Sequence, residues 1–449
     1  MARSHRRPGH EDLRFARHLP RPAEPARRPH RGRSWPSHEG GCHRVTRRRR
    51  RVVLVHYTAP SILGGVEQVM GAHATALLEA GADVTIVAGR GRAPRGVRMT
   101  RIGEVDSRNK RVLRDFRSLA QGERTKAHDA LVERLVRKLR PIVAKADRVV
   151  VHNVLTMHKD LALTEALVRL ARDRPGVVIA WTHDLAWSDP QYANERHPGD
   201  PWGLIARAHP GIRYVAVSDE RADQLAALAG LRREGVAVVP NGVDIAAALG
   251  LSSAGARIAE RLDLYRADPL LVLPARLTRR KRIEAAIAAT AALRGRGHAA
   301  MLVVTGPPGP HNPANAGYLA ELSALAKQVE GVHLFHELGL RAPYRVIADM
   351  YALADALVLP SQSEGFGIPL LEAALHRLPI VCSDLATLRA LAGDAATYVP
   401  PDASGEVIAD AIERSLGEPG PRFRARVRAM AWSRVLKERV VPLVLEGTA

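Results

Sequence analysis

The chain has 449 residues, of which 46% are hydrophobic and 25% charged, enough apolar material for two folded domains and too much for a wholly disordered protein. No apolar run approaches the roughly 18 residues of a spanning helix, and the arginine-rich start lacks the apolar stretch of a secretory leader, so the chain reads as cytoplasmic. Two distant cysteines, Cys42 and Cys382, exclude a disulfide framework and a paired-cysteine zinc site, and the formal net charge of +21 is left as the feature to explain.

Residues 1–50 supply about half of that charge, through fifteen arginines against Glu11, Asp12, Glu24 and Glu39. Their Pro, Arg, His and Gly follow no apolar period, which predicts a disordered basic tail. Clustered arginine there would release counterions from a polyanion, so one reading is an arm that binds a polyanion or an anionic membrane face. Arginine outnumbers lysine 59 to 8 and Ala, Gly and Pro are abundant, so GC-rich coding accounts for part of the basicity. Val45, just ahead of the first ordered run, is a more natural start and would leave residues 1–44 untranslated.

Order begins at Arg51–Val55, a β-branched run of the kind that fills a buried parallel strand. A Gly64-Gly65 loop, a helical stretch from Val66 to about Ala80 and a strand at Asp83–Ala88 complete one βαβ unit. Further strands are predicted at Arg148–His152, Val177–Trp181, Arg213–Val217 and Val236–Val239, with helices at Leu161–Arg172 and Asp219–Leu228. Pro240-Asn241-Gly242-Val243-Asp244 is a turn that closes this half. After a short helix around Ala254–Leu264, strands restart at Leu270–Leu273, Ala300–Val304, Val332–Phe335, Ala356–Leu359, Pro379–Cys382 and Thr397–Val399, with helices centred near 288, 322, 350, 373 and 411. The expected fold class is α/β, as two doubly wound Rossmann-like domains, 51–248 and 249–420, with ligands at the carboxyl ends of the strands. Residues 421–449 are expected to form C-terminal helices.

The richest stretch runs from Pro360 to Ala373. An apolar strand leads into a loop with Gly365 and Gly367, and Pro369 stands where a helix can begin. Uncapped amides and the helix dipole there favour an anion such as a phosphate, and Glu364 and Glu372 flank it as acceptors for ligand hydroxyls. A phosphate with hydroxyls on both sides describes a nucleotide sugar.

Ser-Glu-Gly-Phe-Gly-Ile-Pro-Leu-Leu-Glu-Ala, with Glu364 and Glu372 at its two ends, resembles the signature of retaining GT-B glycosyltransferases of family 4. Pro274-Ala275-Arg276-Leu277 with Lys281 resembles that family's Gly-Arg-Leu segment, although Ala275 replaces the usual glycine. The resemblance implies that Arg276 and Lys281 stabilise the leaving diphosphate, Glu364 positions donor-sugar hydroxyls and Glu372 holds the ribose. Amides of Phe366, Gly367 and Ile368 would meet sugar and phosphate. Gly64 and Gly65 resemble the family's glycine loop, His183 its strand-end histidine beside the reacting sugar, and Gly306 its glycine near the nucleotide. His333 to Glu337 lie where family members hold the base, Asn241 is either a turn or a ligand contact, and Arg279, Arg280 and Arg282 read as a solvated basic helix start. The run from Phe423 through Trp432 to Leu445 is similar to the helix pair that crosses back to the first domain.

The resemblance thus implies a hexosyltransferase of GT-B fold, its two domains facing across a cleft, that moves a sugar from a UDP-, GDP- or ADP-linked donor to a sugar, small-molecule or lipid acceptor, with retention. No cofactor and no metal are expected, since the sequence has no Asp-x-Asp triplet, and it also lacks a phosphate loop, a His-Glu-x-x-His and a dinucleotide fingerprint. Nucleic acid is not an expected partner, peripheral contact with the inner membrane face stays open, and so does the oligomeric state. The rival reading is a basic-arm polyanion or membrane-surface binder with a degenerate GT-B fold.

Overall fold

Seven parallel strands form the first sheet of the computed structural model: β1 (Arg51–Val55), β2 (Asp83–Ala88), β3 (Arg98–Arg101), β4 (Arg148–His152), β5 (Val178–Thr182), β6 (Ile212–Ala216) and β7 (Val236–Val238). The structure describes residues 48–309, 315–417 and 419–447, so residues 1–47 of the expected tail and the end of the 307–313 loop lie outside the described residues. Strand order is β3-β2-β1-β4-β5-β6-β7, with Val53 in register with Thr85 on one side and Val149 on the other. Alternation along β1 explains why both faces are covered. Val53 and Val55 point into one core with Leu135, Leu139, Leu163 and Leu167. Val52 and Leu54 point into the other with Met70, Leu77, Leu443 and Val444.

The second sheet is also parallel, in the order β10-β9-β8-β11-β12-β13, from β8 (Leu270–Leu273), β9 (Met301–Val304), β10 (Val332–Leu334), β11 (Ala356–Leu359), β12 (Ile380–Ser383) and β13 (Thr397–Val399). Both sheets are therefore doubly wound, and several strand ends lie within a residue of the predicted positions. Chain order reverses direction between β1 and β4 and again between β8 and β11. Loops leaving the carboxyl ends of strands at such reversals diverge and open a crevice.

The stretch 89–147, for which the sequence pattern assigns no element, holds β3 and the helices Lys110–Ala120 and Lys126–Lys145. β3 reads Arg-Met-Thr-Arg and none of its residues is fully buried, so an edge strand without an apolar run gives no signal. The shorter helix carries Lys110, Arg111, Arg114 and Arg117 and buries only Val112, Asp115 and Leu119.

At the C-terminus, Pro419–Ala429 lies on the second half. The Arg428 guanidinium donates to both Asp355 oxygens, at 2.9 and 2.5 Å, and to the carbonyls of Leu353 and Ala267. Trp432 N–H then donates to the Val243 carbonyl at 3.0 Å, and Val435, Val440, Leu443 and Val444 enter the core of the first sheet. Gly242 is the glycine that this crossing requires, because a Cβ there would strike the Trp432 ring.

Candidate active site

Leu359 ends β11, and the chain turns through residues 360–367 into the helix Ile368–Leu375. Gly367, at φ 101° and ψ 37°, occupies the left-handed region, and a Cβ on it would meet Leu388 at 2.7 Å, so glycine is required on two counts. Gly365 has open space where a Cβ would stand. No side chain caps the helix, and Pro369 in its first turn has no N–H to satisfy. Phe366 and Ile368 are 56% and 58% exposed, which places this helix start and the positive end of its dipole near the surface.

Glu364, with a side chain only 6% exposed, is gripped by neighbours. Its Oε1 accepts from the Lys281 ammonium and from the Ser361 hydroxyl, the latter at 2.6 Å, while its Oε2 lies 3.8 Å from Arg280 Nη1. Two backbone contacts fasten the segments together: Gln362 N–H donates to the Arg280 carbonyl at 2.7 Å, and Arg280 Nη1 donates to the Ser363 carbonyl at 3.1 Å. A buried carboxylate needs this compensation. Lys281 neutralises Glu364, whereas Arg276 is exposed and makes no hydrogen bond or ion pair among the described residues.

Gly306 follows β9 and touches the backbone that carries Arg276. A Cβ on it would fall inside the contact radius of the Ala275 carbonyl and the Arg276 nitrogen, and Leu277 N–H donates to the Pro307 carbonyl at 3.0 Å. Its glycine thus serves the close passage of two loops. Glu372, one turn inside the helix, accepts from the Tyr351 hydroxyl at 2.8 Å. Arg279 and Arg280 are exposed, as the sequence reading has them, and each also has a partner, while Arg282 is half-buried. Arg279 pairs with Glu321 at 2.8 Å and lies over the Tyr318 ring, and Arg282 donates to the carbonyls of Pro401 and Ala403. His333 is half-buried, and burial lowers its pKa.

In the first half, Gly64 and Gly65 begin the helix Gly65–Glu79, which also lacks a side-chain cap. Glu67 folds back so far that its carboxylate fills the space a Cβ on Gly64 would need, and the Thr58 hydroxyl donates to it. Gly65 faces open space. His183 follows β5 and is buried. Asn153, at the end of β4 with φ 51°, uses Oδ1 to accept the N–H groups of His183 (3.2 Å) and Asp184 (2.9 Å), and its Nδ2 donates to Asp184 Oδ2 at 2.9 Å. Burial pushes the His183 imidazole down to about 4, against a smaller raising effect of Asp184.

His183 belongs to a group of buried histidines. Its ring lies 5.9 Å from that of His152, which lies 5.1 Å from His73. His56 Nδ1 meets the His152 carbonyl at 2.7 Å, so that nitrogen carries the proton. Burial lowers all four, His73 to about 3. They are neutral imidazoles at physiological pH, at the carboxyl ends of β1, β4 and β5 and on the adjoining helix.

Among the described residues no hydrogen bond or ion pair joins the first-half set to the second-half set, and no group of three His, Cys, Asp or Glu is arranged to hold a metal ion. The geometry adds Ser361, Tyr351, Glu67 and Asn153 to the residues named from sequence, and ties Arg280 to the signature loop. Glu67, two residues beyond the Gly64-Gly65 pair, Asn153, just after an apolar strand, and Ser361, three residues before Glu364, stand beside local signals. Tyr351 becomes visible only when separate segments meet.

Residues 256–431 match the family model described as Glycosyl transferases group 1, and residues 63–247 match that of Glycosyltransferase Family 4. Among curated relatives, a D-inositol 3-phosphate glycosyltransferase of Nocardia farcinica is 30% identical over 51% of this chain and 49% of its own length. An alpha-D-kanosaminyltransferase of Streptomyces kanamyceticus is 32% identical over 38% of this chain and 42% of its own. The chain thus spans about half the length of the curated relatives it matches. A solved structure of sucrose-phosphate synthase from Thermosynechococcus elongatus aligns with 87% of this chain and 97% of its own, at 18% identity and a TM-score of 0.36.

Proposed function

From the matches of residues 256–431 and 63–247 to the group 1 and family 4 glycosyltransferase models, we propose that this chain is a GT-B glycosyltransferase, a hexosyltransferase that moves a sugar from a nucleotide-sugar donor to an acceptor hydroxyl. The observation that carries this reading is Arg276, a guanidinium without a partner among the described residues, on the loop leaving β8 at the same carboxyl end of the sheet as the uncapped helix start at Gly367 after β11. An unpaired cation and an uncapped helix start both suit a diphosphate.

In the proposed reaction the bond between the sugar C1 and the diphosphate oxygen breaks, and the acceptor oxygen forms a new bond to C1 on the same face. The acceptor proton passes to the departing phosphate oxygen, so no protein nucleophile is needed. Arg276 and the amides of Phe366, Gly367 and Ile368 take up the growing negative charge; Glu364, held by Lys281 and Ser361, accepts donor-sugar hydroxyls; Glu372 accepts from the ribose. His183, kept neutral by burial, offers a hydrogen bond without adding charge, from the half that takes the acceptor together with Gly64 and Gly65. The reaction is read as metal-independent because the sequence has no Asp-x-Asp triplet. The acceptor class is a sugar, a small molecule or a lipid.

A thermal-shift screen with UDP-, GDP- and ADP-sugars, followed by assay of nucleoside diphosphate release, tests the proposal. A bound donor at 100 times its Kd adds about 2.7 kcal/mol and raises the melting temperature. No shift with any of the three and no release in the presence of mixed acceptors would defeat it.

A further inference from the structure

The Tyr351 hydroxyl is buried behind the signature helix and donates to Glu372 Oε2 at 2.8 Å, while its distance to the Pro369 carbonyl, 3.3 Å, is a poor second contact. Tyr351 sits on the helix Tyr344–Leu353, is only 1% exposed, and its ring stacks on His376 at 5.6 Å with 9° between planes. A buried ring stacked on His376 has little freedom to swing its hydroxyl elsewhere. Burial, and then the hydrogen bond to Glu372, hold the phenol well above its ordinary pKa range, so it stays a donor at every working pH. Glu372 Oε2 is thereby occupied, and Oε1 makes no hydrogen bond among the described residues.

We propose that Tyr351 is a positioning residue for nucleotide recognition: by tying down one oxygen of Glu372 it aims the other at a ribose hydroxyl and makes the site select ribonucleotides over deoxyribonucleotides. This rests on the reading in which Glu372 faces the ribose. A carboxylate with both oxygens free accepts from whichever donor or water arrives, whereas one oriented by a buried phenol presents a single acceptor at a fixed angle, and a missing hydroxyl then leaves that acceptor unpaired.

The test uses the nucleoside diphosphate, among UDP, GDP and ADP, that binds the full chain tightest by calorimetry, together with its 2′-deoxy and 3′-deoxy forms. The wild-type chain should bind at least one deoxy form about tenfold more weakly than the ribo form. Tyr351→Phe keeps the ring and its stacking and should bring that ratio to within about threefold of unity by weakening the ribo form alone. Glu372→Gln should also collapse it. If Tyr351→Phe keeps the full ratio while Glu372→Gln loses it, the positioning role is overturned and the ribose assignment stands. If Glu372→Gln keeps the ratio, both fall. Equal weakening of ribo and deoxy forms by Tyr351→Phe, with a lowered melting temperature, overturns the positioning role in favour of a merely structural one.

Discussion

Lys281 and Arg276 are five residues apart and have different surroundings. With side chains 10% and 6% exposed, Lys281 and Glu364 form a buried pair, and removing one member leaves the other uncompensated. Lys281→Met should therefore destabilise the fold by about 3 kcal/mol in denaturant unfolding, with much of the loss recovered in the double variant Lys281→Met/Glu364→Gln. Arg276 is exposed, so Arg276→Ala should leave stability within about 0.5 kcal/mol. Sequence spacing makes both residues visible as cations near an anion site. It does not reveal which one is already paired, because the partner, Glu364, lies 83 residues away in the chain.

At the scale of elements, histidines supply the pH dependence. His128, on the helix Lys126–Lys145, has Nδ1 2.9 Å from Asp115 and Nε2 3.2 Å from Glu165, so both nitrogens donate and the ring is an imidazolium. Burial and the charge of Arg124 lower it, but the hydrogen bonds to the two acids and the charge of Asp115 outweigh that and raise it to about 9. Its contribution to stability is complete below its unfolded value near 6.5 and is lost as pH rises through about 9. The buried His73 and His183 act with the opposite sign. Held neutral with values near 3 and 4, they contribute stability above the unfolded value that is lost as pH falls from about 6.5 toward 4. Denaturant unfolding across pH 4–10 should show both flanks. His128→Gln should flatten the alkaline flank and leave the acid one, and an unchanged alkaline flank in that variant would refute the assignment.

Two glycines belong to the same scale. Gly306→Ala would force Ala275 and Arg276 aside and should cost several kcal/mol and lower turnover, whereas Gly365→Ala, at a position with open space, should be close to neutral in stability. The strands of both sheets were legible because parallel strands buried on both faces are written in unbroken β-branched runs, such as that of β1. β3 and the helix Lys110–Ala120 were not, because they lie at the edge and surface where polar residues leave no period to read. The signature loop was legible through its glycines, proline and paired glutamates. The supporting roles of Arg280 and Tyr351 were not, because they act through contacts between segments that only folding brings together.

For the whole molecule, the C-terminal crossing ties the chain together: Arg428 is bonded to Asp355 beneath the second sheet, and Leu443 and Val444 complete the core of the first. Leu443→Ala should cost about 2–5 kcal/mol although it lies outside both strand–helix blocks, measured as a shift of the denaturant midpoint. The charge that first set this sequence apart resolves into pieces. About half lies in the N-terminal stretch; ion pairs such as Arg279–Glu321 carry no net charge, and Arg276 is a cation without a partner among the described residues. The direct test of the central claim is nucleoside diphosphate release from the donor that binds tightest, compared between the wild-type chain and Arg276→Ala at matched melting temperature. A fall of about 10²–10³ in turnover is predicted; turnover equal to wild type would contradict the account.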